Sequence, residues 1–272
     1  MPPLTRITEQ DSPYRHLEQQ SIEQITAWIN QEDRKVPEAI GRALPQINAI
    51  IHAIVDKLKS GGRMFYLGAG SGGRLSVLDA IELPTTYGID KGVVEVILAG
   101  GTDRLVEAPE EKEDEPDAGW KELVARKATP ADIVIGISAS GTTPFVLGAL
   151  TWCRQQGITT ACLVGNPGSP IAAQADLPGE IITGPEFITG STRMKQGSMQ
   201  KMVFDMISTT VMIQLGRVKD NKMVNVKLIN DKITDRAVKI LMEMGGIQDY
   251  ATARERLLEA GSVQAAMDKL KG

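Results

Sequence analysis

Met64-Phe65-Tyr66-Leu67-Gly68-Ala69-Gly70-Ser71-Gly72-Gly73-Arg74 is the stretch whose reading decides the fold. An apolar run ends in a glycine-rich turn, and Leu75, Val77, Leu78 and Ile81 follow at helical spacing. Strand, glycine loop and helix in that order gather backbone N–H groups and a helix N-terminus around an anion, usually a phosphate.

Outward from this stretch, Val93 to Leu98, Asp132 to Ile137 and Thr159 to Val164 repeat the apolar pattern of Arg63 to Leu67, and a shorter run from Glu180 to Thr183 adds a fifth. Helical patterns separate the runs. Apolar strands alternating with helices predict an α/β fold whose parallel sheet is covered on both faces. Glu95, charged within the second run, puts that strand near an edge. Upstream, residues 8 to 60 read as helix in two or three segments. Ile47, Ile50, Ile51, Ile54, Val55 and Leu58 draw one stripe that ends at Gly61-Gly62, with Pro37 and Pro45 in first turns. Downstream, a long helix capped by Ser191 or Thr192 buries Met199, Met202, Val203, Met206, Ile207, Thr210 and Ile213. An amphipathic helix covers Asn230 to Gly245, and short helices broken at Gly261 fill 247 to 270.

The 272 residues suit one large domain with a small appendage. Thirty Lys and Arg face 34 Asp and Glu, so no positive field is available for nucleic acid or an anionic membrane surface. No apolar run reaches the ~18 residues of a membrane span, and the N-terminus lacks a signal-peptide core, so a cytoplasmic protein is expected. Cys153 and Cys162 read as buried free thiols. His16 and His52 have no ligand-spaced partners, and no metal site is expected.

Open parallel sheets bind ligands outside the carboxyl ends of their strands, so the five strand-end loops carry the functional reading. Gly68, Gly70 and Gly73 satisfy G-x-G-x-x-G. A dinucleotide site also needs an acid at the end of the second strand, and Leu98-Ala99-Gly100-Gly101 offers none before Asp103. No cofactor is therefore expected. The loop Ser138-Ala139-Ser140-Gly141-Thr142-Thr143 supplies neutral donors for one phosphate. A helix cap would use one or two of its four hydroxyls. Without a Walker-type lysine, a sugar phosphate fits better than a nucleoside triphosphate. Lys195 and Lys201 lie on the first turns of the long helix, where either can reach a ligand.

Gly68 to Gly88, Ala139 to Pro144, Asn166 to Pro170 and, above all, Gly184 to Lys195 resemble the N-acetylmuramic acid 6-phosphate etherase family of the sugar isomerase (SIS) domain superfamily. The likeness runs from about Thr8 to the final helices. It implies a five-stranded parallel SIS sheet flanked by helices in three αβα layers, spanning 1–225 with the N-terminal helices, and a C-terminal helical unit over 226–272. It also implies a homodimer that cleaves the C3 ether of N-acetylmuramic acid 6-phosphate to N-acetylglucosamine 6-phosphate and D-lactate. Glu82 matches the family's first catalytic glutamate, and its neighbours Ile81 and Leu83 fit a raised pKa and the acid role. Glu113 matches the second, as base at C2, although an acidic run is ordinarily a solvated face and Glu110, Glu111 and Glu115 are near in sequence. Gly70, Ser71, Gly72, Gly73, Ser138, Ser140, Thr142, Thr143, Ser191 and Lys195 are the candidate substrate- and phosphate-binding residues.

Two positions depart from the family. Gly72 stands where Ser is usual, and Thr142 where Arg is usual. A lost guanidinium removes a charge-assisted contact of ~1.5–3 kcal/mol. Ser138, where Ala is common, restores a hydroxyl but no charge. Both catalytic glutamates favour an enzyme. The departures leave room for a non-catalytic sugar-phosphate-binding regulator of the glucokinase regulatory protein type, and an aldose–ketose isomerase is the third reading.

Overall fold

In the computed structural model, which describes residues 6–107 and 109–271, the apolar runs pair as a five-stranded sheet in the order β2-β1-β3-β4-β5. The strands are β1 (Met64–Gly68), β2 (Val94–Leu98), β3 (Ile133–Ser138), β4 (Thr159–Val164) and β5 (Leu177–Glu180), and every pairing is parallel. β1 and β3 are buried along their whole length, which is why their sequences run apolar without alternation. Phe65, Leu67, Val134 and Cys162 pack on one face against Leu123 of α4 (Ala118–Ala125), Phe145 and Val146 of α5 (Pro144–Gln155) and Ile171 of α6 (Pro170–Gln174). On the other face α2 (Lys35–Lys59) packs against β1, β3 and β5, and the Tyr66 ring lies 5.1 Å from Phe204 of α7 (Lys195–Gln214). The result is the expected three-layer αβα arrangement. β2 is an edge strand, and Glu95 on it pairs with Arg63 and Arg126.

Several local expectations shift. The fifth strand is Leu177–Glu180 rather than 180–183. Pro178 has no N–H to give, which an edge strand paired only with β4 tolerates. Pro45 lies inside α2, not in a first turn. Residues 6–20 form two 3₁₀ turns in place of a helix, and α1 (Ile22–Asp33) starts only after Ser21, whose side chain accepts from the Gln24 N–H. The segment before α1 is strapped across the sheet's carboxyl end. Thr8 N–H donates to Asn166 Oδ1 at 3.1 Å, and Ser12 Oγ donates to the Phe187 carbonyl at 2.7 Å.

α7 begins at Lys195, later than its expected cap, because the buried Glu186 carboxylate accepts the Lys195 and Gln196 N–H groups at 2.9 and 3.0 Å. A negative group at a helix N-terminus satisfies its orphan donors and its dipole together. On α7, Met199, Val203 and Ile207 are buried as expected, Met202, Met206 and Thr210 only partly, and Ile213 is exposed. Lys195 Nζ meets Glu32 Oε2 at 2.7 Å, with both side chains nearly inaccessible. Burial pushes the Glu32 carboxyl up, but hydrogen bonds from Lys195 and Lys35 outweigh it and hold Glu32 below the usual carboxylate range.

The chain divides into two compact units, the first Met1–Asp79 with Val93–Ile207 and the second Ala80–Gly92 with Ser208–Gly272. The second holds the end of α3 (Gly70–Tyr87), a small hairpin of β6 (Val218–Lys219) and β7 (Lys222–Met223), and α8 (Asp231–Gly245), α9 (Tyr250–Ala260) and α10 (Val263–Lys271). The helices expected from 226 onward fall in this unit, which also takes in 80–92 and 208–225. Val226, Val238, Leu241, Leu257 and Val263 form its core. Asn230 caps α8, and Gly261, left-handed at φ +82°, separates α9 from α10.

Glu32→Ala strands the Lys195 ammonium without its carboxylate and is expected to destabilise the first unit by ~3–5 kcal/mol, read as a lower urea midpoint. Glu32→Met with Lys195→Met removes both charges and recovers most of that loss. Because Glu32 is depressed in the folded state, its contribution is full above the ordinary carboxylate range and fades as pH falls through the depressed value, so the Glu32→Ala gap narrows in acid.

Candidate active site

The sheet order places β1 between β2 and β3, so the chain leaves β1 to one side and reaches β3 on the other, opening a crevice where their loops part. A cavity of about 410 Å³ lies there, within the first unit. The β1–α3 turn, the Ser138–Thr143 loop and the 3₁₀ turn Glu110–Asp114 form its walls, joined by Glu9, Thr192 and Gln200.

The turn is as tight as its glycines allow. Gly70 is left-handed at φ +55°, and a Cβ there would lie 2.9 Å from Glu113 Oε1. A Cβ at Gly73 would fall 2.8 Å from the Gly68 carbonyl carbon. A Cβ at Gly72 would meet Ile137 Cγ2 at 2.7 Å and Gln200 Nε2 at 2.9 Å, so a side chain there requires these neighbours to shift. Across the crevice the hydroxyls bond one another. Ser138 Oγ is 2.8 Å from Thr143 Oγ1, the Gly141 N–H donates to Ser138 Oγ at 3.0 Å, and Thr142 Oγ1 donates to Ser140 Oγ at 3.1 Å. Thr143 precedes α5 without capping it through its side chain, so its hydroxyl serves the cavity wall.

Glu113 is half-buried and its carboxyl faces the glycine turn. Burial raises its pKa above the usual carboxylate range. The neighbouring Glu110 and Asp114 charges add to the rise, and Arg74 opposes it. The acidic run is therefore only partly a solvated face: Glu110, Glu113 and Asp114 line the cavity, whereas Glu111 does not and the exposed Glu115 pairs with Lys112 at 2.6 Å. Arg74 is the one cation among the described residues of the cavity wall.

Of the residues expected from sequence, Gly70, Ser71, Gly72, Ser138, Ser140, Thr143 and Glu113 are brought together around the cavity. Gly73 packs under the turn instead, Thr142 is tied to Ser140, and Thr192 takes the wall position expected of Ser191. Lys195 is buried against Glu32 and does not line the cavity. Glu82 lies on α3 in the second unit and is exposed. Its neighbour Ile81 is 62% exposed, so the apolar shielding expected on that side is absent from the single chain, while Leu83 is buried. Glu9, Arg74 and Gln200 belong to the wall without having been assigned to it. Arg74 closes the glycine run and was the most readable of the three. Glu9 arrives on the strapped N-terminal segment, a contact no local pattern announces.

The site offers neutral hydroxyls, backbone amides and one guanidinium to an anion, beside a carboxylate with raised proton affinity. Residues 46–154 match the glucokinase regulatory protein N-terminal SIS domain family, and residues 114–213 match the SIS domain family. The chain is 50% identical over 267 residues to an N-acetylmuramic acid 6-phosphate etherase of Porphyromonas gingivalis, covering 98% of this chain and 97% of the relative. It is 48% identical over 270 residues to one of Bacteroides fragilis, covering 99% and 96%. Solved phosphoheptose isomerases of Neisseria gonorrhoeae and Francisella tularensis share the fold, each at 16% identity. Their TM-scores are 0.52 and 0.53, covering 70% and 73% of this chain and 97% and 100% of theirs.

Gly70→Ala forces a side chain into a left-handed position, at ~1–2 kcal/mol, and pushes the Glu113 carboxylate aside. The expected outcome is a lower melting temperature together with a smaller thermal shift from inorganic phosphate.

Proposed function

The chain belongs to the N-acetylmuramic acid 6-phosphate etherase family, and on that footing we propose how its residues divide the work of a carbon–oxygen lyase. The substrate is N-acetylmuramic acid 6-phosphate, and its phosphate sits between the β1–α3 turn and the Ser138–Thr143 loop, with Ser71, Ser138, Ser140, Thr143 and Arg74 as donors. The observation that carries the reading is the Glu113 carboxyl, half-buried against Gly70 with its pKa raised.

In the open-chain sugar the C1 aldehyde acidifies the C2 proton. Glu113, as carboxylate, takes that proton. The electron pair forms the C2–C3 double bond, the C3–O bond breaks, and Glu82, as acid, protonates the departing lactate oxygen. Glu113 exchanges its proton with solvent; water then adds at C3, giving its proton to Glu82, while Glu113 delivers a solvent-derived proton to C2. The products are D-lactate and N-acetylglucosamine 6-phosphate. A base with raised proton affinity transfers a carbon-bound proton better than an ordinary carboxylate. Arg74 supplies part of the charge that Thr142 no longer brings.

The active species is a homodimer. The face of α3 that carries the exposed Ile81 and Glu82 is the one we assign to the second copy. The protein works in the cytoplasm, in keeping with its two free buried thiols, and no helix among the described residues is long and apolar enough to cross a membrane.

Purified protein is expected to release D-lactate from N-acetylmuramic acid 6-phosphate. Glu113→Gln and Glu82→Gln should each lower kcat by ~10²–10⁴ with the melting temperature kept. Because the base must be ionised, kcat/KM falls as pH drops through the raised Glu113 value, with the acid limb above the ordinary ~4.3 of glutamate. Light scattering should give a dimer, and Ile81→Glu a monomer. Sugar-phosphate binding without lactate release would point instead to the regulator, a reading favoured by the match to the glucokinase regulatory protein domain.

A further inference from the structure

The strap across the sheet's carboxyl end carries Glu9, and its backbone is pinned on both sides of that residue. Thr8 and Ser12 are buried. Besides accepting from the Thr8 N–H, Asn166 donates from Nδ2 to Thr8 Oγ1 and to the Ser140 carbonyl, each at 3.0 Å. The Ser12 N–H donates to Thr189 Oγ1 at 2.9 Å. Glu9 itself is exposed and lines the cavity. Its Oε2 rests over Gly190, a glycine at φ +74° whose added Cβ would lie 3.1 Å from that oxygen. Among the described residues the Glu9 carboxylate makes no ion pair or hydrogen bond. An accessible acceptor on a pinned segment binds a ligand without the cost of ordering a loop.

A carboxylate repels the phosphate and the lactyl carboxylate, so Glu9 can meet only the substrate's hydrogen-bond donors. The Asn166 carboxamide that holds Thr8 also holds Ser140 of the phosphate-binding loop, which ties Glu9 to the phosphate side of the cavity. Next to the phosphate-bearing C6 stand C5 and C4, whereas C3 carries the ether and has no donor. In the ring form O5 bears no hydrogen, and of these carbons only C4 has a hydroxyl. Ring opening breaks the C1–O5 bond: the O1 proton leaves as C1 becomes the aldehyde, and O5 takes up a proton to become a second hydroxyl beside the first. The two oxygens of one carboxylate match that pair. We propose that Glu9 accepts hydrogen bonds from the C4 and C5 hydroxyls of the opened sugar and so favours the open-chain form, on which deprotonation at C2 depends. This inference rests on the etherase reading of the site. Glu9 moves no proton; it selects the reactive form of the substrate.

The test uses two inert analogues of N-acetylmuramic acid 6-phosphate. Its borohydride-reduced alditol is open and has both hydroxyls, and its methyl glycoside is locked in the ring. Neither has the C1 aldehyde that acidifies C2, so calorimetric Kd values read binding alone. Glu9→Ala should weaken the alditol about a hundredfold and the glycoside about tenfold, one charge-assisted hydrogen bond for each hydroxyl. The affinity ratio of alditol to glycoside therefore falls about tenfold. The melting temperature without ligand should stay at the wild-type value, because an exposed side chain that pairs with nothing supports no packing. Glu9→Gln, with a single neutral acceptor, should give a ratio between the two. Equal weakening of both analogues in Glu9→Ala, or none, overturns the inference. Failure of the wild type to bind either analogue overturns it too, and absence of D-lactate release from the same preparation then marks the etherase reading as the fault.

Discussion

The β1–α3 turn is the constraint on which the site depends. A strand buried on both faces must turn at Gly68 and start a helix at Gly70, and the chain manages this by placing Gly70 at φ +55° and packing Gly73 against the Gly68 backbone. No residue with a Cβ fits that approach without strain. The space saved is used twice, by the Glu113 carboxyl over Gly70 and by the Gln200 carboxamide over Gly72. The features that make the turn possible therefore also fix where the Glu113 carboxyl and the Gln200 carboxamide stand.

Electrostatics follow from that geometry. Glu113 is withdrawn from water and sits among like charges, so its proton affinity rises, and Arg74 keeps the rise in check. Elsewhere the same residue types are neutralised by pairing. Lys195 and Glu32 are both buried, and each satisfies the other, which holds Glu32 below the usual range. A lysine that sequence placed near the ligand is thus structural, and the cation that faces the cavity is Arg74.

Most of the fold was legible because its signals are local. Doubly buried strands run apolar, the hydroxyl and glycine loops follow them, and Asn230 and Gly261 mark helix ends where they should. The losses have physical causes. β5 contains Pro178 and Gly179, poor strand formers admitted only because an edge strand needs one neighbour. The delayed start of α7 depends on Glu186, whose capping contact lies nine residues upstream of Lys195. The fate of Lys195 was set by Glu32, 163 residues away in the chain, and that of Glu9 by Thr8 bonding to Asn166, 158 residues away. Within the site, the glycines, the hydroxyls and Glu113 were readable from spacing and resemblance. Gln200 was not, because nothing local in α7 marks it as reaching the cavity wall.

The central claim is that Glu113 removes the proton at C2 before the ether breaks. Turnover of N-acetylmuramic acid 6-phosphate in D₂O, followed by mass spectrometry and NMR of the sugar product, tests it most directly. The account predicts one deuterium at C2 of N-acetylglucosamine 6-phosphate from the wild type and loss of both exchange and lactate release in Glu113→Gln. Lactate released with the original hydrogen still at C2 would contradict it.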